Sequence, residues 1–253
     1  MSKDPLLWRA AGGSDVGKVR RVNEDAWIAR PELALFAVAD GLGGHTRGDR
    51  ASRVVVEELA RLDPAPDPAD LEAAARAALE RAHARIRSEA LAIGATMGTT
   101  VALLLAREAR AVLLWAGDSR IYRLRGDRLE PLSRDHSRVQ ELAEAGLISA
   151  EEARRHPLRN LITRAVGTGE RLELERRALE LRPGDLVLLC SDGLTGPLEE
   201  REIAAILERH RLDAVGPLIE ATLARGAPDN VTVVVAAFGV DPDRTVPGLG
   251  SVP

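Results

Sequence analysis

The 253-residue chain lacks several features that would place it in a specialised class of protein. Cys190 is the only cysteine, so no internal disulfide can form, and five scattered histidines give no zinc-ligand spacing. No apolar run approaches the roughly 18–20 residues that span a bilayer, and the first residues lack the apolar core of a signal peptide. We therefore expect a cytoplasmic protein that has no membrane partner.

Charge of one sign is also never concentrated along the chain. Lysine and arginine total 35 against 39 acidic residues, and no block of like charges occurs, which argues against a nucleic-acid partner. Lys3 and Lys18 are the only lysines, so arginine carries nearly all of the positive charge. With 45% hydrophobic residues and no internal linker or repeat, we expect a single domain over residues 1–240. Its first thirteen residues are expected to be loosely held, and residues 241–253 to form a disordered tail.

What the chain does contain is a recurring pairing of a buried strand with a carboxylate. Residues 33–39 form a continuous apolar run that ends in Asp40 and a glycine, which is typical of a strand covered on both faces. The same construction precedes Asp192, a close variant precedes Asp118, and Asp229 stands before its apolar run. Any one of these is more simply a turn that closes a strand, but the recurrence favours one shared site.

The direction of these strands predicts how the sheets are built. Asp40 and Asp192 come at the ends of their strands, whereas Glu24, Asp25 and Asp229 come before theirs. If all of them lie at one end of the fold, the two sets of strands must run in opposite directions. The sheets are therefore expected to be mainly antiparallel.

Helical periodicity in the sequence predicts the outer layers of the fold. Apolar spacing predicts helix pairs within residues 48–93 and 199–225, and residues 99–132 resemble an antiparallel meander. The predicted fold is α+β, a four-layer α-β-β-α sandwich whose two mainly antiparallel sheets are flanked by helix pairs. A small charged helical insert at about 138–166 is expected to be either a mobile flap or an ordinary surface excursion.

Carboxylates gathered in one place either raise one another's pKa or hold a cation. Oxygen ligands alone suit Mg²⁺ or Mn²⁺ rather than zinc or copper, and four or more acids exceed what one Mg²⁺ usually takes from protein. Two ions about 3.5–4 Å apart, bridged by a carboxylate and a water, would use this set. Arg20 lies four residues before Glu24, and its planar fork suits phosphate oxygens, although Arg21 stands beside it.

Eight short motifs follow one another over residues 14–238. They are, in chain order, Ser14-Asp15-Val16-Gly17 to Arg20 with Asn23-Glu24-Asp25; Val38-Ala39-Asp40-Gly41-Leu42-Gly43-Gly44; Met97-Gly98-Thr99-Thr100; Gly117-Asp118-Ser119-Arg120; Asp135-His136-Ser137; Leu161-Ile162-Thr163-Arg164-Ala165-Val166-Gly167; Cys190-Ser191-Asp192-Gly193-Leu194; and Asp229-Asn230-Val231-Thr232. In this order they resemble the metal-dependent protein phosphatases of the PPM group, the protein phosphatase 2C type, in their short bacterial form.

The resemblance implies a role for each acidic residue. Asp40 resembles the carboxylate that bridges two metal ions, and the carbonyl of Gly41 resembles a ligand of one of them. Asp192 and Asp229 resemble ligands of the other ion.

The remaining residues of the set take supporting roles by the same resemblance. Glu24 and Asp25 resemble residues that hold metal-bound waters, and Asp118 resembles a ligand of a third, weaker ion. Arg20 resembles the phosphate-binding arginine, and residues 138–166 resemble the flap beside the site.

One position departs from the family pattern. Some members carry a histidine directly after the Asp-Gly pair, proposed to protonate the leaving oxygen, and this chain has Leu42 there. A metal-bound water is the preferred proton donor, with His45 and His136 as alternatives that are more simply structural or surface residues. Ser119 and Thr99 are expected to serve turn and strand packing rather than to act as nucleophiles.

The resemblance implies a Mn²⁺- or Mg²⁺-dependent protein serine/threonine phosphatase with two ions, or three. A hydroxide bridging two ions would attack the phosphorus of phosphoserine or phosphothreonine directly, with no phosphoenzyme. Its partners would be phosphorylated proteins, including a serine/threonine kinase, and the chain is expected to be a monomer. One alternative is a catalytically silent binding or regulatory module on the same fold, although no metal-site acid is missing. Another is a phosphatase that acts on small phosphorylated molecules.

Overall fold

A computed structural model describes residues 8–42, 47–63 and 68–239 of the protein. The predicted tail at 241–253 and the candidate proton donor His45 lie outside these residues. The strands are, in chain order, β1 Trp8–Asp15, β2 Asp25–Arg30, β3 Leu35–Leu42, β4 Gly98–Thr99, β5 Val101–Arg107, β6 Arg110–Ala116, β7 Arg120–Arg125, β8 Arg128–Pro131, β9 Glu175–Glu180, β10 Leu186–Cys190 and β11 Val231–Phe238. The helices are α1 Gly48–Ala60, α2 Pro68–Ile93, α3 Arg138–Glu144, α4 Ala150–Arg155, α5 Asp192–Thr195, α6 Glu200–His210 and α7 Val215–Ala224.

The strands form two sheets whose neighbouring strands run antiparallel. In one sheet the spatial order is β1-β11-β10-β7-β8. In the other it is β2-β3-β5-β6-β9, with β4 paired to the end of β3. The prediction of mainly antiparallel sheets is confirmed.

Strand β3 shows why a continuous apolar run was needed. Leu35, Ala37 and Ala39 pack in one hydrophobic cluster with α1 and α2, whereas Phe36 and Val38 belong to the cluster between the two sheets. Successive side chains of a strand point to opposite faces, so a strand buried on both faces must be apolar at every position.

The other sheet repeats this arrangement. In β11, Val233 and Val235 pack with α6 and α7, whereas Val234 and Ala236 face the cluster between the sheets. Helices therefore cover the outer face of each sheet, and the predicted four-layer α-β-β-α sandwich is confirmed. None of the helices in the described ranges is both long enough and apolar enough to cross a bilayer.

The expectation that the first thirteen residues are loosely held is wrong for residues 8–13. Strand β1 pairs with β11 along its whole length, from Trp8 opposite Phe238 to Asp15 opposite Val231. The Trp8 ring lies 5.4 Å from that of Phe36 and 5.1 Å from that of Phe238, inside the core. The segment was missed because its alanines and glycines have little β-propensity, and the pairing partner lies more than 200 residues away.

Candidate metal and phosphate site

Asp25 and Asp40 stand opposite each other on neighbouring strands β2 and β3. The main chain of Asp40 is fixed by two threonines. Its N–H donates to Thr100 Oγ1 at 2.9 Å, and its carbonyl accepts from Thr99 Oγ1 at 2.9 Å and from the Thr100 N–H at 2.8 Å. Thr99 therefore holds a strand end in place, in agreement with the packing role expected for it.

The second sheet brings its own acids to the same end of the sandwich. Asp192 is the first residue of α5 and is separated from the end of β10 by Ser191, and Asp229 is separated from the start of β11 by Asn230. Asp192 lies close enough to Asp40 for their negative charges to repel, and Ser191 Oγ donates to Asp25 Oδ2 at 2.8 Å. Carboxylates that are distant along the chain therefore meet across the two sheets.

The electrostatics of this cluster are unfavourable for several negative charges at once. Burial raises the pKa of Asp25 to about 7 and that of Asp192 to about 6, with repulsion from neighbouring acids adding to both. Burial, together with Asp25 and Asp192, raises the pKa of Asp40 well above its ordinary value. Burial also raises the pKa of Asp118 well above its ordinary value, and repulsion from Asp192 adds to this increase. Groups that repel one another in this way either share protons or surround a cation.

Arg20 supplies a positive charge at the rim of the cluster. Its Nη2 donates to Asp229 Oδ2 at 2.7 Å, and both side chains are partly open to solvent, at 45% and 35% exposure. The hydrogen bond to Asp229, with further attraction from Glu24, raises the pKa of the guanidinium. Of the two adjacent arginines, the described structure thus places Arg20 against the acids, as the motif spacing indicated.

Glycines allow the main chain to close around Glu24. The Glu24 carbonyl accepts from the Gly41 N–H at 3.1 Å, and its Oε1 accepts from the Gly48 N–H at 3.1 Å. A Cβ on Gly41 would overlap the carbonyl oxygen of Gly48 and crowd that of Glu24. Only glycine fits there, because the two main-chain segments approach too closely for any side chain.

The helical insert is joined to this site at both ends. At its start, the His136 N–H donates to the Gly117 carbonyl at 2.9 Å, beside Asp118. At its end, Val166 forms a reciprocal bridge with Thr99, which also contacts Asp40. Within the insert, a capping box formed by Ser149 and Glu152 begins helix α4.

These features can be compared with known proteins. The sequence profile described as Protein phosphatase 2C matches residues 16–230. The chain belongs to the protein phosphatase 2C family.

Three relatives illustrate the likeness. The serine/threonine protein phosphatase PstP of Mycobacterium tuberculosis is 42% identical over 241 residues, which cover 93% of this chain and 46% of that protein. The chain thus spans about half the length of that curated relative. The structure of PppA from Pseudomonas aeruginosa, described as a key regulatory component of T6SS, is 45% identical with a TM-score of 0.85, and the match covers 92% of this chain and 99% of that one. The catalytic domain of PstP in complex with two manganese ions is 40% identical with a TM-score of 0.80, covering 92% and 99%.

The donor set of this phosphatase 2C chain fits hard divalent cations. All the candidate side-chain ligands are carboxylates, and buried Oδ1 atoms of Asp25 and Asp118 have no hydrogen-bond partner within the described structure. A cation would satisfy those oxygens and offset the repulsion that raises the pKa values.

The side chains are nevertheless not arranged as a finished coordination shell. Over residues 8–42, 47–63 and 68–239, no group of three or more His, Cys, Asp and Glu side chains has the geometry to hold a metal ion. Asp229 Oδ2 is engaged by Arg20. Binding of a cation by this oxygen therefore requires its contact with Arg20 to be exchanged for a metal contact.

His136 is built into the framework of the phosphatase 2C fold. It is buried, and its Nδ1 accepts from the Gly117 N–H at 3.2 Å while its Nε2 lies 2.9 Å from Glu175 Oε2. Its ring also stacks on Trp115 with centroids 6.2 Å apart. Because both ring nitrogens are engaged, this geometry supports the structural role that the sequence favoured over proton donation.

Sequence reasoning missed the residues that support the acids. Asn230 and Ser191 were quoted only as members of motifs, yet Asn230 contacts the loop before β2 and Ser191 contacts Asp25. The available signal was their position in the sequence, because Asn230 follows Asp229 and Ser191 precedes Asp192. Their hydrogen-bond partners depend on loops that only the folded chain brings together.

Proposed function

We propose that this chain is a Mn²⁺- or Mg²⁺-dependent protein serine/threonine phosphatase. The observation that carries the proposal is the convergence of Asp25 and Asp40 from one sheet with Asp192 and Asp229 from the other, beside the guanidinium of Arg20. Membership in the protein phosphatase 2C family supports the same conclusion.

The proposed roles follow from the position of each residue. Asp40, Asp192, Asp229 and the Gly41 carbonyl would hold two ions, with Asp40 between them. When bound, the ions supply an ionised water as the nucleophile for direct attack on phosphorus and neutralise charge on the phosphoryl oxygens.

Three further acids complete the proposed set. Glu24 and Asp25 would orient water around the ions, and Asp118 would hold a third, weaker ion. Each of them lies near the main cluster. The Glu24 carbonyl accepts from the Gly41 N–H, and Asp25 stands opposite Asp40. Asp118 is close enough to Asp192 for their charges to repel.

Arg20 would bind the phosphate of the substrate. Its side chain is partly exposed, so a phosphorylated residue can reach it from solvent, and phosphate can replace the Asp229 carboxylate as its partner. Arginine would then fix the phosphorus in front of the attacking water, which lowers the entropic part of the barrier.

Hydroxyl groups near the cluster support attack by water rather than by a side chain. Ser191 Oγ donates to Asp25, Thr99 Oγ1 to the Asp40 carbonyl, and Ser119 Oγ lies 2.6 Å from Thr100 Oγ1. Each hydroxyl is tied into the framework, so we propose that no phosphoenzyme forms. With Leu42 after the Asp-Gly pair and His136 engaged at both nitrogens, water is the proposed donor of the leaving-group proton.

The other predictions made from the sequence, on domain organisation, partners and location, remain proposals. We propose that the described residues belong to a single domain, with residues 138–166 acting as a flap beside the site. The presence of a serine/threonine kinase among the substrates, the monomeric state and the cytoplasmic location are likewise predictions.

The proposal is tested by hydrolysis of p-nitrophenyl phosphate and of a phosphothreonine peptide in the presence of Mn²⁺. We expect turnover that EDTA abolishes and that falls more than about 100-fold in Asp40→Asn and Asp192→Asn, since each removes a metal ligand. Asp127→Asn, an exposed acid in the turn after β7, is the matched control and should retain full activity. Activity that survives both the chelator and the substitutions would exclude this mechanism, and a folded, metal-binding but inactive protein would favour the silent module.

A further inference from the structure

The loop of residues 16–24 carries Arg20 at its centre and joins β1 of one sheet to β2 of the other. It contains no helix or strand of its own, so its shape depends on contacts with neighbouring segments. Both its ends are fastened to one residue, Asn230, which is only 5% exposed.

The side-chain amide of Asn230 makes three hydrogen bonds, which use both of its N–H donors and its carbonyl oxygen. Its Nδ2 donates to the carbonyl of Val16 at 2.9 Å and to that of Val22 at 3.0 Å, and its Oδ1 accepts from the Glu24 N–H at 2.9 Å. Asparagine presents two donors and one acceptor in this way, whereas aspartate offers no donor. The amide therefore closes the loop at its beginning and at its end.

The residue before it holds the centre of the same loop. Asp229 accepts from Arg20 Nη2 through Oδ2, and through Oδ1 from the N–H of Asn230. The dipeptide Asp229-Asn230 thus contacts the loop at Arg20 and at both ends. Lys18 adds a main-chain hydrogen bond to Ala227 at 3.0 Å, on the same segment.

We propose that Asn230 is a positioning residue for phosphate binding, which acts by holding the 16–24 loop closed so that Arg20 faces the acidic cluster. This inference rests on the proposed function, because it assigns Arg20 to the substrate phosphate. Without the amide, the loop gains conformational freedom, and ordering Arg20 around phosphate costs that entropy at every binding event.

The first test measures amide hydrogen exchange by NMR in EDTA and needs no turnover. In Asn230→Asp we expect at least about tenfold faster exchange at Gly17 and Lys18, while Glu24 stays protected because an acceptor remains. In Asn230→Ala the Glu24 amide should lose its protection as well. Thr222→Val is the matched control, since it removes a buried hydroxyl that donates to Leu218 within α7, and it should leave the loop unchanged.

The second test separates positioning from a general structural effect. For p-nitrophenyl phosphate with Mn²⁺, Asn230→Asp should raise KM at least about tenfold, raise the inhibition constant of inorganic phosphate similarly, and change kcat less than about threefold. In an Arg20→Ala background the same substitution should have no further effect on KM, because the residue through which it acts is gone.

The outcomes are decisive in either direction. Three results would overturn the proposal. The first is unchanged amide exchange in the loop, and the second is that the increases in KM caused by Asn230→Asp and Arg20→Ala multiply in the double variant. The third is failure of both Asn230 variants to fold. If the wild-type chain hydrolyses no phosphate ester, the proposed function fails, and the exchange measurement still decides whether Asn230 closes the loop.

Discussion

Asp25 and Asp40 occupy directly opposed positions on strands β2 and β3, and both residues are half-buried. Two acids so placed destabilise each other unless a proton or a cation intervenes. This opposition makes the stability of the protein depend on pH and on divalent ions.

We predict that, in EDTA, thermal stability falls as the pH rises from about 4 to about 7. The pKa of Asp25 is raised to about 7 and that of Asp192 to about 6 in the folded state, against an ordinary value of 3.8. Between these values the folded protein binds more protons at Asp25 and Asp192 than the unfolded chain does, so the stability that these two groups contribute decreases as the pH rises through their folded pKa values. Thermal melts across this range, repeated on Asp25→Asn, should show a weaker dependence in the variant. An equal slope in both proteins would contradict the assignment.

Saturating Mn²⁺ should reverse that trend. Metal ligands must lose their protons to bind, so the increase in melting temperature caused by Mn²⁺ should grow with pH. The measurement is the difference in melting temperature with and without the ion at each pH. A shift that is independent of pH would argue against carboxylate ligands.

Asp40→Asn should separate stability from metal binding. The substitution removes a half-buried acid that is repelled by its neighbours, so we expect a higher melting temperature than the wild type in EDTA and no further increase on adding Mn²⁺. A variant that is less stable in EDTA and still responds to the ion would refute this prediction. Asp127→Asn serves again as the exposed control.

Arg20→Ala should weaken the binding of the phosphate group. Loss of charge-assisted hydrogen bonds worth about 1.5–3 kcal/mol corresponds to a KM increase of about 10- to 100-fold, with a smaller change in kcat. Arg21→Ala is the matched neighbour and should raise KM much less. Equal effects of the two substitutions on KM would mean that either arginine can serve.

Trp8→Ala tests whether the first strand is part of the core. Removing a ring that packs between Phe36 and Phe238 should lower the free energy of unfolding by about 3–5 kcal/mol. Leu91→Ala, at an exposed position of α2, should change it by less than about 0.5 kcal/mol. Urea unfolding curves of the two variants measure the difference, and similar midpoints would show that β1 contributes little.

Much of the architecture could be predicted because its cause is local. The run before Asp40 is apolar at every position since both faces of β3 are covered, and a helix does form within residues 48–93 as α2, which buries Leu71, Leu79 and Ile86. The first strand could not be predicted, because Gly12 and Gly13 pair with β11 through main-chain hydrogen bonds that leave no pattern in side-chain hydrophobicity.

The candidate site divides in the same way. The identity and order of the acids, the alternating strands and the choice of oxygen ligands are written in the chain, because residue type and strand direction are properties of sequence. Which acids raise one another's pKa, which one holds Arg20, and the three hydrogen bonds of Asn230 were decided only on folding. Coulomb forces, burial and hydrogen bonds depend on distances in space, and residues separated by 200 positions acquire those distances only when the two sheets pack together.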